Sequence, residues 1–248
     1  PRPGMAAALL ERLERSTAGI LLVADVLPDS AVERLHRGGA DITLVSHKVP
    51  GVEVPSIMHD NRHGIELLAA ELFDRCGRSA PIFLAGSGRQ RDAVEREDAF
   101  RRELMRRGLP VDDSRFLPGE FEPEQAVDSL ASYLDAGGTL DSLVAADYLM
   151  AIACLAELRR RNLAVPEDVI VLGFGDGPEA EAARLTTVAA DVVELGRRGA
   201  RQLVGQLEGL EIRGLTLLST TLVARLSTGS RTDADQSAAD EADRRISG

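Results

Sequence analysis

The amino-acid sequence predicts an α/β fold built from doubly wound parallel sheets. Short apolar runs of strand length alternate along the chain with longer segments in which apolar residues recur at helical spacing. The clearest example is residues 142–174, where the run SLVAA, a helix with one apolar stripe and the run VIVLGF follow one another. Such a strand–helix–strand unit implies a parallel sheet, because a crossover helix joins strands that run in the same direction.

The same patterns assign the other elements in chain order. Helices are predicted at residues 5–15, 30–37, 63–75, 93–107, 122–133, 149–161 and 192–207. Strands are predicted at residues 19–23, 42–46, 54–58, 81–85, 116–117, 142–146, 169–174, 185–188, 215–218 and 221–224. Asp60 precedes the third helix, whose first N–H groups its carboxylate can accept.

Two helices have a predicted inward face. In the helix 93–107 the inward residues are expected to be Val94, Phe100 and Leu104, with Met105 as a further candidate. In the helix 149–161 the buried stripe is expected to comprise Leu149, Ile152, Ala153, Leu155, Ala156 and Leu158. Residues 165–168, with their proline, are expected to turn the chain into the next strand.

Composition limits the classes of function. The formal net charge is −11, Lys48 is the only lysine, and the arginines alternate with glutamate in stretches such as EREDAFRREL. This mixing is typical of solvated helix faces and indicates no basic patch that would bind DNA. Hydrophobic residues make up 44% of the 248 residues, which is enough for a sizeable core in one or two lobes.

Cysteine usage and hydropathy predict a cytoplasmic protein. Cys76 and Cys154 are the only cysteines, which does not suggest a disulfide framework. No apolar run reaches membrane-spanning length, and the first residues, PRPGMAAALLERLERS, lack the features of a signal peptide. The chain begins with Pro1 rather than methionine, which leaves room for an upstream segment.

Several long motifs resemble one family. Four segments are similar to the effector-binding core of the lactose-repressor/galactose-repressor family of bacterial transcription regulators: VAADYLMAIACLAELR, VPEDVIVLGFGD, LTTV and ELGRR. Six further segments occur in the order and at the spacings of that family: ILLVADV, VPSIMHDNRHGIELLAAEL, PIFLAG, AVEREDAFRRELMRRGLP, GEFEPEQA and TTLVARLSTG. The resemblance covers roughly residues 5–229.

The resemblance implies a two-lobed, periplasmic-binding-protein-like fold. It places the first lobe at residues 1–58 and 190–217, the second at 59–189 and 218–229, and a disordered tail or linker at 230–248. It also implies that the opening strand–helix–strand and the helix-turn-helix headpiece of the family are missing, so that DNA would be bound only through a headpiece outside this chain. A weak homodimer is expected; apolar positions in 65–72 or 26–35 are candidates for its interface and equally for the intramolecular core.

Five candidate ligand-binding residues follow from the resemblance. Arg96 matches an arginine that hydrogen-bonds the effector, and Phe121 matches an aromatic residue that stacks on it; an exposed ion pair and simple packing are the alternative roles. Ser46 ends a strand, and a capping or solvent role explains it equally well. Asp147 and Asp176 follow strands, and helix capping is favoured over ligand binding for both.

Other matching positions have lost their polar side chains. Ala146, Gly175 and Ala190 stand where the family commonly has polar residues, and such residues cannot hydrogen-bond a sugar through their side chains. Ordinary sugar binding is therefore in doubt from the sequence alone.

Other chemistries have weaker support. His59 and His63 share a helical spacing, yet no third metal ligand is signalled nearby, so no metal site is expected. Gly86-Ser87-Gly88 and Gly173-x-Gly175-x-Gly177 match neither a phosphate loop nor a dinucleotide motif. No cofactor is expected, and no nucleophile with a base points to an enzyme.

The sequence thus predicts a ligand-sensing and dimerising domain of a bacterial repressor-type transcription regulator. A small-molecule effector, a sugar or related metabolite, is expected to bind between the two lobes. The alternative is a sensor or scaffold module of a multidomain signalling protein with a degenerate ligand site.

Overall fold

The structure is a computed structural model that describes residues 19–24 and 26–229. The helices are α1 (Asp29–Arg37), α2 (Asn61–Ala69), α3 (Arg91–Arg106), α4 (Pro123–Asp135), α5 (Tyr148–Arg160), α6 (Pro178–Ala182) and α7 (Val192–Leu207). The strands are β1 (Ile20–Val23), β2 (Ile42–Val45), β3 (Ser56–His59), β4 (Pro81–Ala85), β5 (Phe116–Pro118), β6 (Ser142–Ala145), β7 (Ile170–Phe174), β8 (Thr186–Ala189), β9 (Leu215–Leu218) and β10 (Thr221–Val223). A π-helical stretch, Ala70–Arg75, continues α2, and 3₁₀ turns lie at Asp113–Arg115 and Leu226–Thr228.

The described chain divides into two compact units. The first contains the residues up to 61, residues 88–95 and residues 190–220, and the second contains residues 62–87, 96–189 and 221–229. The α/β fold class predicted from the sequence is confirmed. The assignment of residues 1–58 and 190–217, and of 59–189 and 218–229, as lobes of one binding domain stays a prediction.

The first unit contains a four-stranded parallel sheet with the order β1-β2-β3-β9. On β1, Ile20 and Leu22 are buried while the residues between and after them are exposed, which is the alternation of a strand with one covered face. α7 packs close to β2, because an added Cβ at Gly199 would lie 2.6 Å from Val45 Cγ2. Leu195 of α7 shares a buried cluster with Val45 and Ile57.

The second unit contains a six-stranded sheet with the order β10-β8-β7-β6-β4-β5. Its strands are parallel except for β10, which runs antiparallel to β8. β6 and β7 are buried along their whole length, as expected for central strands of a parallel sheet covered on both faces. The carboxyl ends of β4, β5, β6 and β7 therefore lie along one edge of this sheet, which we call the carboxyl edge.

The structure corrects the predicted inward faces of two helices. In α3, Phe100 and Leu104 are buried, but Val94 is 37% exposed and Met105 is 59% exposed. In α5, Leu155 and Leu158 are buried, whereas Leu149 is 41% exposed, Ala156 is exposed, and Ile152 and Ala153 are only half-buried. The true buried stripe of α5 comprises Met150, Ala151, Cys154, Leu155 and Leu158.

Element boundaries agree with the sequence prediction within two residues when the π-helical stretch Ala70–Arg75 is counted with α2. α2 begins at Asn61, so Asp60 is the residue directly before the helix. The five-residue helix α6 was not predicted. The predicted helix at residues 5–15 and the tail at 230–248 lie outside the described residues. Among the helices described, none is both long and apolar enough to cross a membrane.

Candidate functional site

Arg96 lies at the carboxyl edge of the six-stranded sheet. Its side chain projects from α3, is 9% exposed, and donates a hydrogen bond from Nη1 to the carbonyl oxygen of Ala146 at 2.7 Å. The guanidinium carbon lies 3.8 Å from the centroid of the Phe174 ring, at the end of β7. The hydrogen bond and the cation–π contact together hold the guanidinium against the ends of β6 and β7.

Phe121 lies beside Arg96, in the loop that follows β5. The Arg96 guanidinium carbon is 6.0 Å from the centroid of the Phe121 ring. Glu120 and Phe121 both have positive φ, at 54° and 60°, an uncommon conformation for residues with side chains. The backbone N–H groups of Gly119 and Glu120 both donate to the Ala85 carbonyl, which ties this loop to the end of β4.

Gly86 provides the space that the Phe121 ring occupies. A Cβ added at Gly86 would lie 2.3–2.7 Å from three atoms of the ring, which no side chain tolerates. The glycine that follows β4 is therefore required for the aromatic ring to approach this strand end. The sequence pointed to Gly86 only as part of a possible anion loop.

Asp147 caps α5. Its Oδ1 accepts hydrogen bonds from the backbone N–H of Leu149 at 2.8 Å and of Met150 at 3.3 Å, so the capping role predicted from the sequence is confirmed. Burial raises the pKa of the Asp147 carboxyl above its usual value, and the backbone hydrogen bonds and the Arg96 charge only partly offset this effect.

Asp176 holds an ion pair instead of capping a helix. Arg225 donates from Nη1 to Oδ1 at 2.8 Å and from Nη2 to Oδ2 at 2.9 Å, and Thr187 Oγ1 donates to Oδ1 at 2.8 Å. The N-cap of α6 is Gly177, so the capping role predicted for Asp176 is wrong. Burial favours a higher pKa, but the hydrogen bonds from Arg225 and Thr187 outweigh it and lower the pKa of Asp176.

Ser46 belongs to the first unit. It follows β2, is half-buried, and has a positive φ of 55°. Its backbone N–H donates to the Ile57 carbonyl at 2.9 Å, which continues the pairing of β2 with β3. The structure therefore brings Arg96, Phe121, Asp147 and Asp176 to the ends of strands in one unit and places Ser46 at a strand end of the other.

Phe174 has a role that the sequence does not predict. The ring is 1% exposed and forms the surface on which the Arg96 guanidinium rests. Its place at the end of a buried strand gave a local signal, but nothing local in the sequence pairs it with an arginine on α3.

The arrangement is suited to binding, not covalent chemistry. Burial raises the pKa of the Cys154 thiol to about 12, which makes it a poor nucleophile. In the part of the chain that the structure describes, no group of three His, Cys, Asp or Glu side chains could hold a metal ion. What the carboxyl edge offers is a fixed guanidinium, aromatic rings and backbone carbonyls, which are groups that recognise small polar molecules.

Comparison with known proteins identifies the family. The family model for the periplasmic binding protein-like domain matches residues 71–228. The HTH-type transcriptional regulator CelR of Thermobifida fusca is 31% identical over 182 residues, which are 72% of this chain and 53% of that protein. The HTH-type transcriptional repressor CytR of Escherichia coli (strain K12) is 26% identical over 213 residues, 85% of this chain and 62% of that protein.

A solved structure shows the same relationship. A complex of the transcriptional regulator CelR with cellobiose matches with a TM-score of 0.81 at 27% identity, and the match covers 91% of this chain and 70% of that one. The chain thus spans between about half and two thirds of the length of these curated relatives. The resemblance seen in the sequence is confirmed. The chain belongs to the periplasmic binding protein-like domain family, and its relatives are transcription regulators of the LacI family, not enzymes.

Proposed function

We propose that this chain is the ligand-sensing and dimerising domain of a bacterial repressor-type transcription regulator, with a sugar or related metabolite as its effector. The observation that carries the proposal is the cluster at the carboxyl edge, where Arg96 is held between the Ala146 carbonyl and the Phe174 ring, beside Phe121. Parallel sheets bind ligands at this edge, because the loops that follow the strands converge there.

The two principal anchors have distinct roles in this proposal. Arg96 donates hydrogen bonds to oxygen atoms of the effector, a role suited to its planar set of N–H groups. Phe121 covers one face of the effector ring, a contact that aromatic side chains make with the C–H surface of sugars as well as with planar rings.

The acidic candidates play smaller parts. Asp147 Oδ1 is committed to the cap of α5, and both oxygens of Asp176 accept hydrogen bonds from Arg225, so these carboxylates chiefly fix the loops on which the site is built. Ser46 stays a candidate for one additional hydrogen bond to the effector.

The wider partners belong to the same proposal. The regulator acts in the cytoplasm as a homodimer and contacts DNA through a helix-turn-helix headpiece. CelR and CytR, which are named as transcription regulators, support this reading. The net charge of −11 fits a domain that senses a ligand and leaves DNA contact to another part of the protein.

A thermal-shift titration with glucose, cellobiose and other mono- and disaccharides tests the proposal. A ligand present at a hundredfold excess over its Kd stabilises the folded protein by about 2.7 kcal/mol, which corresponds to a rise of about 5–10 °C in melting temperature for a domain of this size. At least one sugar is expected to produce such a rise. A flat response to every sugar would favour the alternative, a signalling module whose ligand site is degenerate.

A further inference from the structure

Three alternating glycines line the chain from β7 into the following loop. An added Cβ would lie 2.8 Å from Tyr148 Cα at Gly173, 3.0 Å from Tyr148 Cδ1 at Gly175 and 2.8 Å from Tyr148 Oη at Gly177. Each glycine therefore leaves room for a different part of one tyrosine. Tyr148 packs on the motif Gly173-x-Gly175-x-Gly177, which matches no nucleotide-binding pattern.

The Tyr148 side chain extends across these three glycines to Glu179. It is the first residue of α5, it is half-buried, and its Oη donates to Glu179 Oε2 at 3.3 Å. Burial, followed by the Glu179 charge, raises the pKa of the Tyr148 phenol, so the hydroxyl stays protonated at neutral pH. Glu179 itself is exposed.

The Tyr148 ring lies beside Gly175, a position without a side chain. Gly175 has a φ of 89°, and the Tyr148 ring lies where a side chain at Gly175 would have to go. A ligand with hydroxyl groups needs hydrogen-bond partners in its site. A polar group of the ligand or of the protein that is buried without a partner weakens binding. Tyr148 Oη and the Glu179 carboxylate both retain lone pairs that accept hydrogen bonds from ligand hydroxyl groups.

We propose that Tyr148 and Glu179 are specificity-determining residues of the effector site and hold a hydroxyl group of a sugar-class effector. They supply the polar contacts that Ala146 and Gly175 do not, and the Tyr148 ring adds a surface for the effector ring. This inference rests on the proposed effector site at the carboxyl edge, since Tyr148 and Asp147 follow directly after the Ala146 carbonyl that Arg96 contacts.

Calorimetric titration of the full chain with glucose and cellobiose tests the inference. Tyr148→Phe keeps the ring and removes the hydroxyl, and Glu179→Gln removes the charge while keeping the shape. Each is expected to weaken binding of the better sugar about five- to tenfold, which is the effect of losing one hydrogen bond of ordinary strength. Tyr133→Phe is the matched control, because the Tyr133 hydroxyl donates to the Thr139 carbonyl and should leave the affinity unchanged.

A third substitution tests whether the position of the Tyr148 hydroxyl matters when both polar groups are retained. Gly177→Ala retains both polar groups but places a Cβ 2.8 Å from Tyr148 Oη and so displaces the hydroxyl. It is expected to weaken binding as much as Tyr148→Phe, whereas Gly196→Ala, whose Cβ meets nothing within 4 Å, should have no effect.

The outcomes distinguish this inference from the proposed function. If the wild type binds a sugar and all three substitutions at Tyr148, Glu179 and Gly177 leave its affinity unchanged, the inference is overturned and the effector site stands. If the wild type binds neither glucose nor cellobiose nor any other sugar of the panel, the proposed function fails and the inference fails with it.

Discussion

Gly86 determines where the Phe121 ring lies. Gly86→Ala would bring a Cβ within 2.3 Å of Phe121 Cζ and force the ring away from the end of β4. We expect this substitution to weaken effector binding about three- to tenfold, because a displaced aromatic contact costs about 0.5–1.5 kcal/mol. Gly88→Ala is the control, since its Cβ meets nothing within 4 Å. Equal calorimetric affinities for the two variants would contradict a role for the position of Phe121.

The ion pair of Asp176 makes a pH-dependent contribution to stability. Because the pKa of Asp176 is lowered in the folded state, the contribution is fully present above the usual carboxyl pKa of about 4 and is lost as the pH falls through the lowered value. Asp176→Asn should reduce the free energy of unfolding at pH 7 by about 1–2 kcal/mol, at the low end for a charged hydrogen bond because the pair is partly exposed.

Urea unfolding at pH 7 and pH 3 measures this effect. The difference between wild type and Asp176→Asn should shrink at pH 3. Glu33→Gln is the comparison, because Glu33 pairs with the exposed Arg37 and should change stability little at either pH. A cost that is the same at both pH values would show that the ion pair is not its source.

The candidate residues were predictable to different degrees. The Asp147 cap follows from a carboxylate directly before a helical repeat, and the structure confirms it. Arg96 and Phe121 were found through long motifs in register with a known family. The partner of Asp176 was not predictable, because Arg225 lies 49 positions further along the chain and no local pattern links them.

At the level of elements, a buried polar network attaches the last described segment to the second unit. Thr228 Oγ1 donates to Glu71 Oε1 at 2.9 Å and lies 2.8 Å from Thr186 Oγ1. Ser227 Oγ donates to the Val171 carbonyl at 2.6 Å. The turn Leu226–Thr228 is thereby joined to the π-helical stretch after α2, to β7 and to β8.

Thr228→Val tests this network. The substitution preserves shape but leaves buried groups without their hydroxyl partner, so the free energy of unfolding should fall by about 1–3 kcal/mol in urea titrations. Thr139→Val, at an exposed position, should have almost no effect. A Thr228→Val protein as stable as the wild type would show that the network contributes little to attachment of this segment.

The helix faces show where local sequence patterns stop being informative. α5 is apolar around most of its circumference, so its spacing fits more than one buried stripe, and tertiary packing selects the one that begins at Met150. Glu157 is buried in the same helix, where hydrogen bonds from Arg160 and Arg161 stabilise its ionised carboxylate and lower the pKa of the carboxyl to about 2. Hydropathy alone assigns such a residue to the surface.

At the level of the whole molecule, alternation of strands and helices was sufficient to predict the fold class. The boundaries of α7, β4 and β9 match the sequence prediction, because each is a continuous apolar or amphipathic run bounded by breakers. α6 was missed because five residues are too few to establish a helical period.

The charge of the whole chain leads to a prediction about nucleic acid. With a formal net charge of −11 and arginines interleaved with acids, this chain should not bind duplex DNA at physiological salt. Fluorescence anisotropy with labelled duplexes of varied sequence measures this. Sequence-selective binding below micromolar concentration would contradict this prediction.

The most direct measurement of the central claim is calorimetric titration of Arg96→Ala with the sugar that stabilises the wild type most. Loss of a charge-assisted hydrogen bond costs about 1.5–3 kcal/mol, so the affinity should fall about ten- to hundredfold. Arg115→Ala is the matched control, because Arg115 contacts backbone carbonyls at Ala80 and Pro81, where β4 begins, and should leave the affinity unchanged. Wild-type affinity in a folded Arg96→Ala protein would contradict an effector site at the carboxyl edge of the six-stranded sheet.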